Sequence, residues 1–159
     1  RHCLLSSEQF YQMIDELIVS HHTLLEPQIL SKIEKIFNIS GYGVIGALED
    51  VIHNYKCGIT IEAKNIHFYP GVLKSISYGI RANLHAQNKL KHTGLFMNID
   101  SRIHPFAETI FDPQTSGAVM LMCQKEKTPS LLEELEKAGF RKAACIGETT
   151  PNSHKLKIK

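Results

Sequence analysis

Small oxygen-bearing side chains and a glycine are gathered in one short stretch, residues 111–118, which leads into an apolar run. Asp112 precedes a proline, which disfavours the helical region for Asp112, and the glycine near the end is able to adopt a positive φ. Thr115 and Ser116 add two hydroxyls. Carboxylate and hydroxyl oxygens, with the backbone N–H groups of such a loop, suit contact with a phosphate or a hydrated metal ion. A simpler interpretation is that Asp112 caps its own turn through an Asx-type hydrogen bond.

A second polar stretch, residues 38–46, contains three glycines in the pattern G-x-G-x-x-G. Gly41 and Gly43 allow close backbone approach, and Ser40 adds a hydroxyl. Glu62 follows about 20 residues later, as in a dinucleotide-binding fingerprint. That fingerprint has to follow a strand, whereas the residues before this turn have helical spacing. Two interpretations remain open beside a phosphate role: dinucleotide binding, and a turn that only ends one helix and begins another.

Together the two stretches resemble the C-terminal half of selenophosphate synthetases. That family's patterns are roughly T-D-V-T-G-F-G-L-L-G-H and, much later, D-P-Q-T-S-G-G-L. Three further landmarks of the family are present here, a P-G helix start at Pro70, an asparagine at Asn83, and a closing I-G-E that begins at Ile146. The resemblance covers the chain from about residue 37 to residue 148.

The resemblance implies an ATP-dependent phosphotransferase that uses Mg²⁺ and selenide to make selenophosphate. In that family the N-terminal domain carries the glycine-rich ATP segment and the reactive cysteine or selenocysteine with its lysine, and the full-length protein pairs as a homodimer. None of those elements is recognisable in this sequence. We therefore expect residues 1–159 to be one domain, the C-terminal domain, without the ATP-binding N-terminal domain that would be its partner, and to be inactive alone.

The resemblance also implies which positions border the cofactors ATP and Mg²⁺. Asn38 occupies the place of a family aspartate that helps to hold magnesium; an amide oxygen is still a possible ligand but carries no negative charge. The loss of that charge leaves open a non-catalytic binding or assembly module as an alternative function. The positions implied for nucleotide and phosphate contact are Ser40, Gly41, Gly43, Asp112, Thr115 and Ser116.

Composition narrows the classes of partner. The chain has 18 basic and 16 acidic residues and a formal charge of +2, so it offers no broad positive field for nucleic acid or a membrane surface. No apolar run approaches the roughly eighteen residues that span a bilayer, and no signal-peptide pattern opens the chain. The four cysteines show no C-x-x-C pair, which is typical of reduced, buried thiols. We expect a cytoplasmic protein.

The order of periodic segments predicts an α/β or α+β fold with helices covering a mixed β-sheet, and the resemblance implies the C-terminal domain of aminoimidazole ribonucleotide synthetase-like proteins. Residues 89–94 are predicted to be an exposed loop. Predicted helices cover about residues 7–20, 27–37, 44–55, 70–80, 82–89 and 128–138, with Thr128 as N-cap of the last; predicted strands cover 58–63, 95–99, 118–123 as a central strand, 143–146, and 155–159 as an edge strand.

Overall fold

The protein is a mixed α/β fold, as predicted. The structure is a computed structural model that describes residues 5–99, 104–114, 118–151 and 154–159. Within those residues the α-helices are α1 (Ser7–Leu17), α2 (Pro27–Leu30), α3 (Gly43–Tyr55), α4 (Val72–Ser77), α5 (His85–His92), α6 (His104–Thr109) and α7 (Thr128–Lys137), and the strands are β1 (Ile33–Asn38), β2 (Gly58–Ile61), β3 (Phe96–Ile99), β4 (Val119–Cys123), β5 (Gly147–Thr150) and β6 (Leu156–Ile158).

The strands of the described residues form two separate sheets. In the larger sheet the strand order is β3-β6-β2-β5; β6 runs parallel to both of its neighbours and β5 runs antiparallel to β2. The smaller sheet is an antiparallel pair of β1 and β4, in which Asn38 lies opposite Val119. The mixed sheet is therefore confirmed, and the two-stranded sheet is an addition to it.

The predicted helix over residues 27–37 is wrong in its second half. Helix α2 ends at Leu30, and the residues from Ile33 onward form β1. Ile33, Ile36 and Phe37 fit a helical stripe by spacing, but isoleucine and phenylalanine also favour strands, and β4 offers them an apolar partner. The pairing of β1 with the distant strand β4 therefore outweighed the helical spacing of the apolar residues.

Three strand predictions near the C-terminal part also need correction. Strand β6 is an interior strand, not an edge, because it pairs with β2 and β3, and Leu156 is fully buried. Residues 143–146 contain no strand, and β5 begins only at Gly147. Strand β4 is half-buried and pairs only with β1 among the described strands, so it is not central. Alternation shows which face of a strand is buried, but it does not reveal the neighbouring strands.

Helix α3 is the centre of the main core. Ile45, Leu48 and Ile52 are almost completely buried, and they pack in one apolar cluster with Leu156 of β6 and Phe111 just after α6. Helices α2 and α7, with the short 3-10 helix His21–Leu25 before α2, form a second, smaller cluster, whose buried members are Leu24, Ile29, Leu131 and Leu135.

The ends of the helices follow their sequence signals in part. The predicted capping box at α1 is confirmed, since Ser6 and Gln9 exchange side-chain and backbone hydrogen bonds. Helix α7 has Pro129 in its first turn and Gly139, with φ +97°, after its end. Thr128, however, already lies inside α7, and the N-cap is Lys127.

The cysteines are less buried than predicted. Cys57 and Cys123 are half-buried, Cys145 is exposed, and all three are free thiols; Cys3 lies outside the described residues. Burial raises the pKa of the Cys57 thiol, which disfavours its thiolate at neutral pH. In the part of the chain that the structure describes, no helix combines the length and apolarity needed to cross a bilayer.

Candidate functional site

Residues 38–43, called the glycine turn below, and residues 111–114, the described part of what is called the Asp112 loop, lie directly against each other. The Gln114 N–H donates to the Ser40 carbonyl at 3.0 Å, and the Ile45 N–H donates to the Ile110 carbonyl at 3.0 Å. The turn is held at one end by β1 and at the other by α3, and the loop follows α6. The fold thus brings together two stretches that are about seventy residues apart in the sequence.

Gly43 is the point of closest contact between the two stretches. It is buried and has φ +68°, and a Cβ atom at this position would lie 2.6 Å from the Ile110 carbonyl oxygen and 2.7 Å from that of Asp112. A side chain fits neither the backbone angle nor the space. Gly41 is different, since a Cβ atom there would meet nothing within 4 Å.

Asn88 of α5 forms hydrogen bonds to both the turn and the loop. Its buried Nδ2 group donates to the Gly41 carbonyl and to the Phe111 carbonyl, each at 2.9 Å. One amide therefore fixes the spacing between the two backbones.

We predict that Asn88→Ala lowers the free energy of unfolding by about 2 kcal/mol, because two hydrogen bonds to carbonyls in the protein interior are lost. Urea denaturation followed by circular dichroism measures this change. The control is Gln87→Ala at the exposed neighbouring position, which should stay within about 0.5 kcal/mol of the parent. An Asn88 variant as stable as the Gln87 variant would contradict the bridging role.

The Asp112 carboxylate is engaged by α5 and the residues before it. Its Oδ1 atom lies 3.0 Å from His85 Nδ1 and accepts from the Ala82 N–H at 3.4 Å. Its partners are thus about thirty residues away, and the interpretation of Asp112 as a residue that caps its own turn is wrong. The side chain is 26% exposed, so part of the carboxylate still faces solvent.

The other ring nitrogen of His85 faces a second carboxylate. His85 Nε2 lies 3.0 Å from Glu108 Oε2, and both side chains are at most 5% exposed. Lys89 forms an ion pair with Glu108, and Arg81 Nε lies 3.8 Å from the same carboxylate. Two cationic side chains therefore lie close to the buried Glu108 carboxylate.

Comparison with known proteins adds a family context to this geometry. No protein-family model matches the chain. Among curated proteins, the chain is 29% identical to the selenide, water dikinase of Pelobacter propionicus over 112 residues, which cover 70% of this chain and 32% of that protein. The chain is 28% identical to the selenide, water dikinase of Treponema denticola over 131 residues, covering 79% and 36%. That of Clostridioides difficile is 23% identical over 128 residues, covering 77% and 35%.

The chain is thus similar in sequence to selenide, water dikinases. It spans about a third of the length of these curated relatives. The similarity supports the family that the two motifs indicated.

The residues predicted to border ATP and Mg²⁺ in a selenide, water dikinase-like site fall into three groups. Gly41, Gly43 and Asp112 are held in the hydrogen-bonded junction described above. Asn38 and Ser40 are exposed on its outer side, and their side chains make no hydrogen bond to any described residue. Thr115 and Ser116 lie outside the described residues. Binding of a ligand by any of these positions stays a prediction.

The dinucleotide interpretation fails on sheet topology. Strand β1 does precede the turn, contrary to the helix predicted there, and β2 follows α3. However, β1 pairs with β4 and β2 pairs with β5 and β6, so the described strands on either side of α3 belong to different sheets. A dinucleotide-binding unit needs both strands parallel in one sheet. Glu62 instead forms an ion pair with Lys159 at 3.7 Å.

The junction by itself is a poor metal site. Among the described residues, no three histidine, cysteine, aspartate or glutamate side chains are close enough to hold a metal ion. Mg²⁺ is commonly held by one or two carboxylates, substrate phosphates and water. The Asp112 carboxylate and the Asn38 amide do carry oxygen donors of the kind that Mg²⁺ accepts.

Sequence reasoning missed the polar face of α5. The predicted loop over residues 89–94 is wrong, because α5 continues to His92, which is 1% exposed and lies 3.1 Å from Glu49 through Nε2. His85, Asn88 and His92 recur at helical spacing, and this periodicity was the available signal. Because buried helix faces are usually apolar, a polar stripe suggests solvent exposure unless its partners are known.

Proposed function

We propose that this chain is the C-terminal domain of a selenophosphate synthetase-like, ATP-dependent phosphotransferase. In this proposal the glycine turn and the Asp112 loop border a nucleotide and metal cleft that an N-terminal domain completes. The observation that carries the proposal is the junction at Gly43, where the two stretches with family resemblance meet in space. The chain alone would not catalyse the reaction.

The residues of this domain would act by positioning. Phosphoryl transfer depends mainly on orientation and charge stabilisation, so a domain without a nucleophile is able to contribute. Asp112 would present a carboxylate held by His85, and Asn38 and Ser40 would present neutral oxygens from the exposed side of the turn. Bound Mg²⁺ would neutralise charge on the phosphates. We further propose a cytoplasmic homodimer of the full-length protein.

The Asn38 position gives the sharpest test. In the protein expressed from its full coding sequence, Asn38→Asp should tighten Mg-ATP binding about tenfold, because it adds a negative charge beside the metal. The matched control is Asn54→Asp on the exposed end of α3, which adds the same charge away from the turn. Isothermal titration calorimetry with Mg-ATP measures both variants. Equal affinities of the parent and the Asn38 variant would contradict the proposed metal contact.

A second candidate function is a non-catalytic binding or assembly module of the same fold. Two observations favour it: Asn38 lacks the charge of the family aspartate, and the Ile45 N–H in the first turn of α3 is taken by a protein carbonyl instead of being open to an anion. Selenide-dependent production of AMP from ATP by the full-length protein, but not by residues 1–159 alone, would support the enzyme. Full-length protein that makes no AMP and binds no Mg-ATP would favour the module.

A further inference from the structure

A cavity of about 690 Å³ lies between the segment of residues 64–74 and the segment of residues 141–144, with Gln9 of α1 at its wall. The Asn65 amide donates to the Cys145 carbonyl at 3.0 Å and so joins the two segments. Phe68 packs against Phe106 of α6, with ring centroids 5.8 Å apart. A side-chain amide and two aromatic rings therefore hold the walls of the cavity, and these contacts involve no charged side chain.

The lining of this cavity is strongly positive. Lys64, Lys74, Arg141 and Lys142 all line it, and none of the four forms an ion pair with a described residue. His67 also lines the cavity, and its Nε2 atom lies 3.0 Å from the Glu16 carboxylate. A concave surface with one sign of charge concentrates its potential and attracts counter-ions.

Tyr69, whose side chain ends in a hydroxyl, also lines the cavity. Burial raises the pKa of Tyr69, and the Glu16 carboxylate raises it further, so the phenol stays protonated and able to donate. Its ring, with that of Phe68, adds an aromatic surface to the cationic one. Cations, a hydroxyl donor and aromatic rings are the groups that recognise a phosphate carried on an organic ligand.

We propose that this cavity is a binding site for a small phosphate-bearing anion. Its volume lies within the range of about 300–1,000 Å³ that is usual for small-molecule sites. The site is separate from the glycine turn, although a neighbouring cavity of about 320 Å³ shares Tyr69 and Gly71 with it and extends to Arg81 and Asp112. The proposal therefore goes beyond the nucleotide cleft discussed above and does not depend on it. The two possible sources of the phosphate are a nucleotide and an inorganic polyphosphate.

The test uses the 159-residue chain without metal, titrated with sodium tripolyphosphate, ATP and AMP. We expect saturable binding by calorimetry, with amide NMR shifts concentrated at residues 64–74 and 141–144. Tighter binding of ATP than of tripolyphosphate would identify a nucleotide, and equal binding would identify the phosphates alone. Absence of saturation with all three probes, or shifts confined to residues 38–43 and 112–114, would overturn the proposal.

Paired variants test the charge requirement. The double variant Lys64→Ala with Arg141→Ala should weaken binding about tenfold or more, because two charge-assisted contacts are lost. The charge-matched control is Lys127→Ala with Lys137→Ala, at a half-buried and an exposed position outside the cavity, which should bind like the parent. The single variant Lys74→Gln gives a milder second measurement if the double variant is less stable. Equal weakening by the cavity and control pairs would also overturn the proposal.

Because these measurements use the metal-free chain, they are independent of the full-length protein and of Asn38. Loss of the cavity site would leave the Mg-ATP experiment unaffected. Failure of the Mg-ATP experiment would equally leave the tripolyphosphate titration interpretable.

Discussion

Replacing Gly43 with alanine is expected to lower the free energy of unfolding by about 4 kcal/mol. Two costs combine. A residue with a Cβ atom is strained at φ +68°, and that atom would overlap the backbone carbonyl oxygens of Ile110 and Asp112 at 2.6 and 2.7 Å. Carbonyls of the main chain cannot swing away as a flexible side chain would, so the turn and the loop would have to separate.

The control for this experiment is in the same turn. Gly41→Ala introduces the same atom where nothing lies within 4 Å, and we expect a change of less than about 1 kcal/mol. Chemical denaturation of both variants, with a thermal melt as a second measurement, separates the steric effect from the general cost of altering the turn. If both variants lost the same stability, the close contact at Gly43 would not be the cause.

Replacing His85 with leucine is expected to destabilise the chain by about 3 kcal/mol. Leucine is of similar size, so the main change is that the carboxylates of Glu108 and Asp112 lose the ring that lies 3.0 Å from each. Glu108 is 5% exposed, and water is therefore a poor replacement for the missing partner. Lys89 and Arg81 still face Glu108, which limits the loss.

An exposed histidine beside a half-buried glutamate is the appropriate control. His53 lies 3.9 Å from Glu49 and its side chain is 69% exposed, so His53→Leu should change stability by less than about 0.5 kcal/mol. A double-mutant cycle of His85→Leu with Glu108→Leu should give a coupling energy of at least about 1 kcal/mol. A coupling near zero would show that the two side chains are neighbours without stabilising each other.

Both predictions concern the rigidity of the candidate site. Gly43 sets how closely the turn approaches the loop, while His85 holds the Asp112 carboxylate from α5. A site that contributes by positioning needs such support, because small displacements of contacting groups lower rates strongly. The full-length protein carrying Gly43→Ala therefore also tests whether the junction matters for Mg-ATP binding.

Several elements followed from local sequence signals. The helix α3 has an apolar stripe of sufficient length, α1 begins at a capping box, and α7 has a proline at its start. Each of these signals acts over a few residues, within one helix, so an isolated sequence contains the required information. The residue types of the two glycine-containing stretches were likewise enough to suggest phosphate chemistry and the family.

Other features depended on partners far away in the chain. β1 became a strand because β4 pairs with it, and β6 is interior because β2 and β3 flank it. The polar face of α5 is buried only because Glu108 and the carbonyls of the turn and loop meet it.

The sequence by itself therefore determined the helices with strong local signals, the α/β class and the residues of the two motifs. Only the tertiary structure decided that these motifs meet at Gly43, that Asp112 is held by His85, and that four cations surround one cavity. The physical reason is that helix signals recur within a few residues, whereas these contacts join groups separated by tens of residues. Their geometry arises only when the whole chain packs.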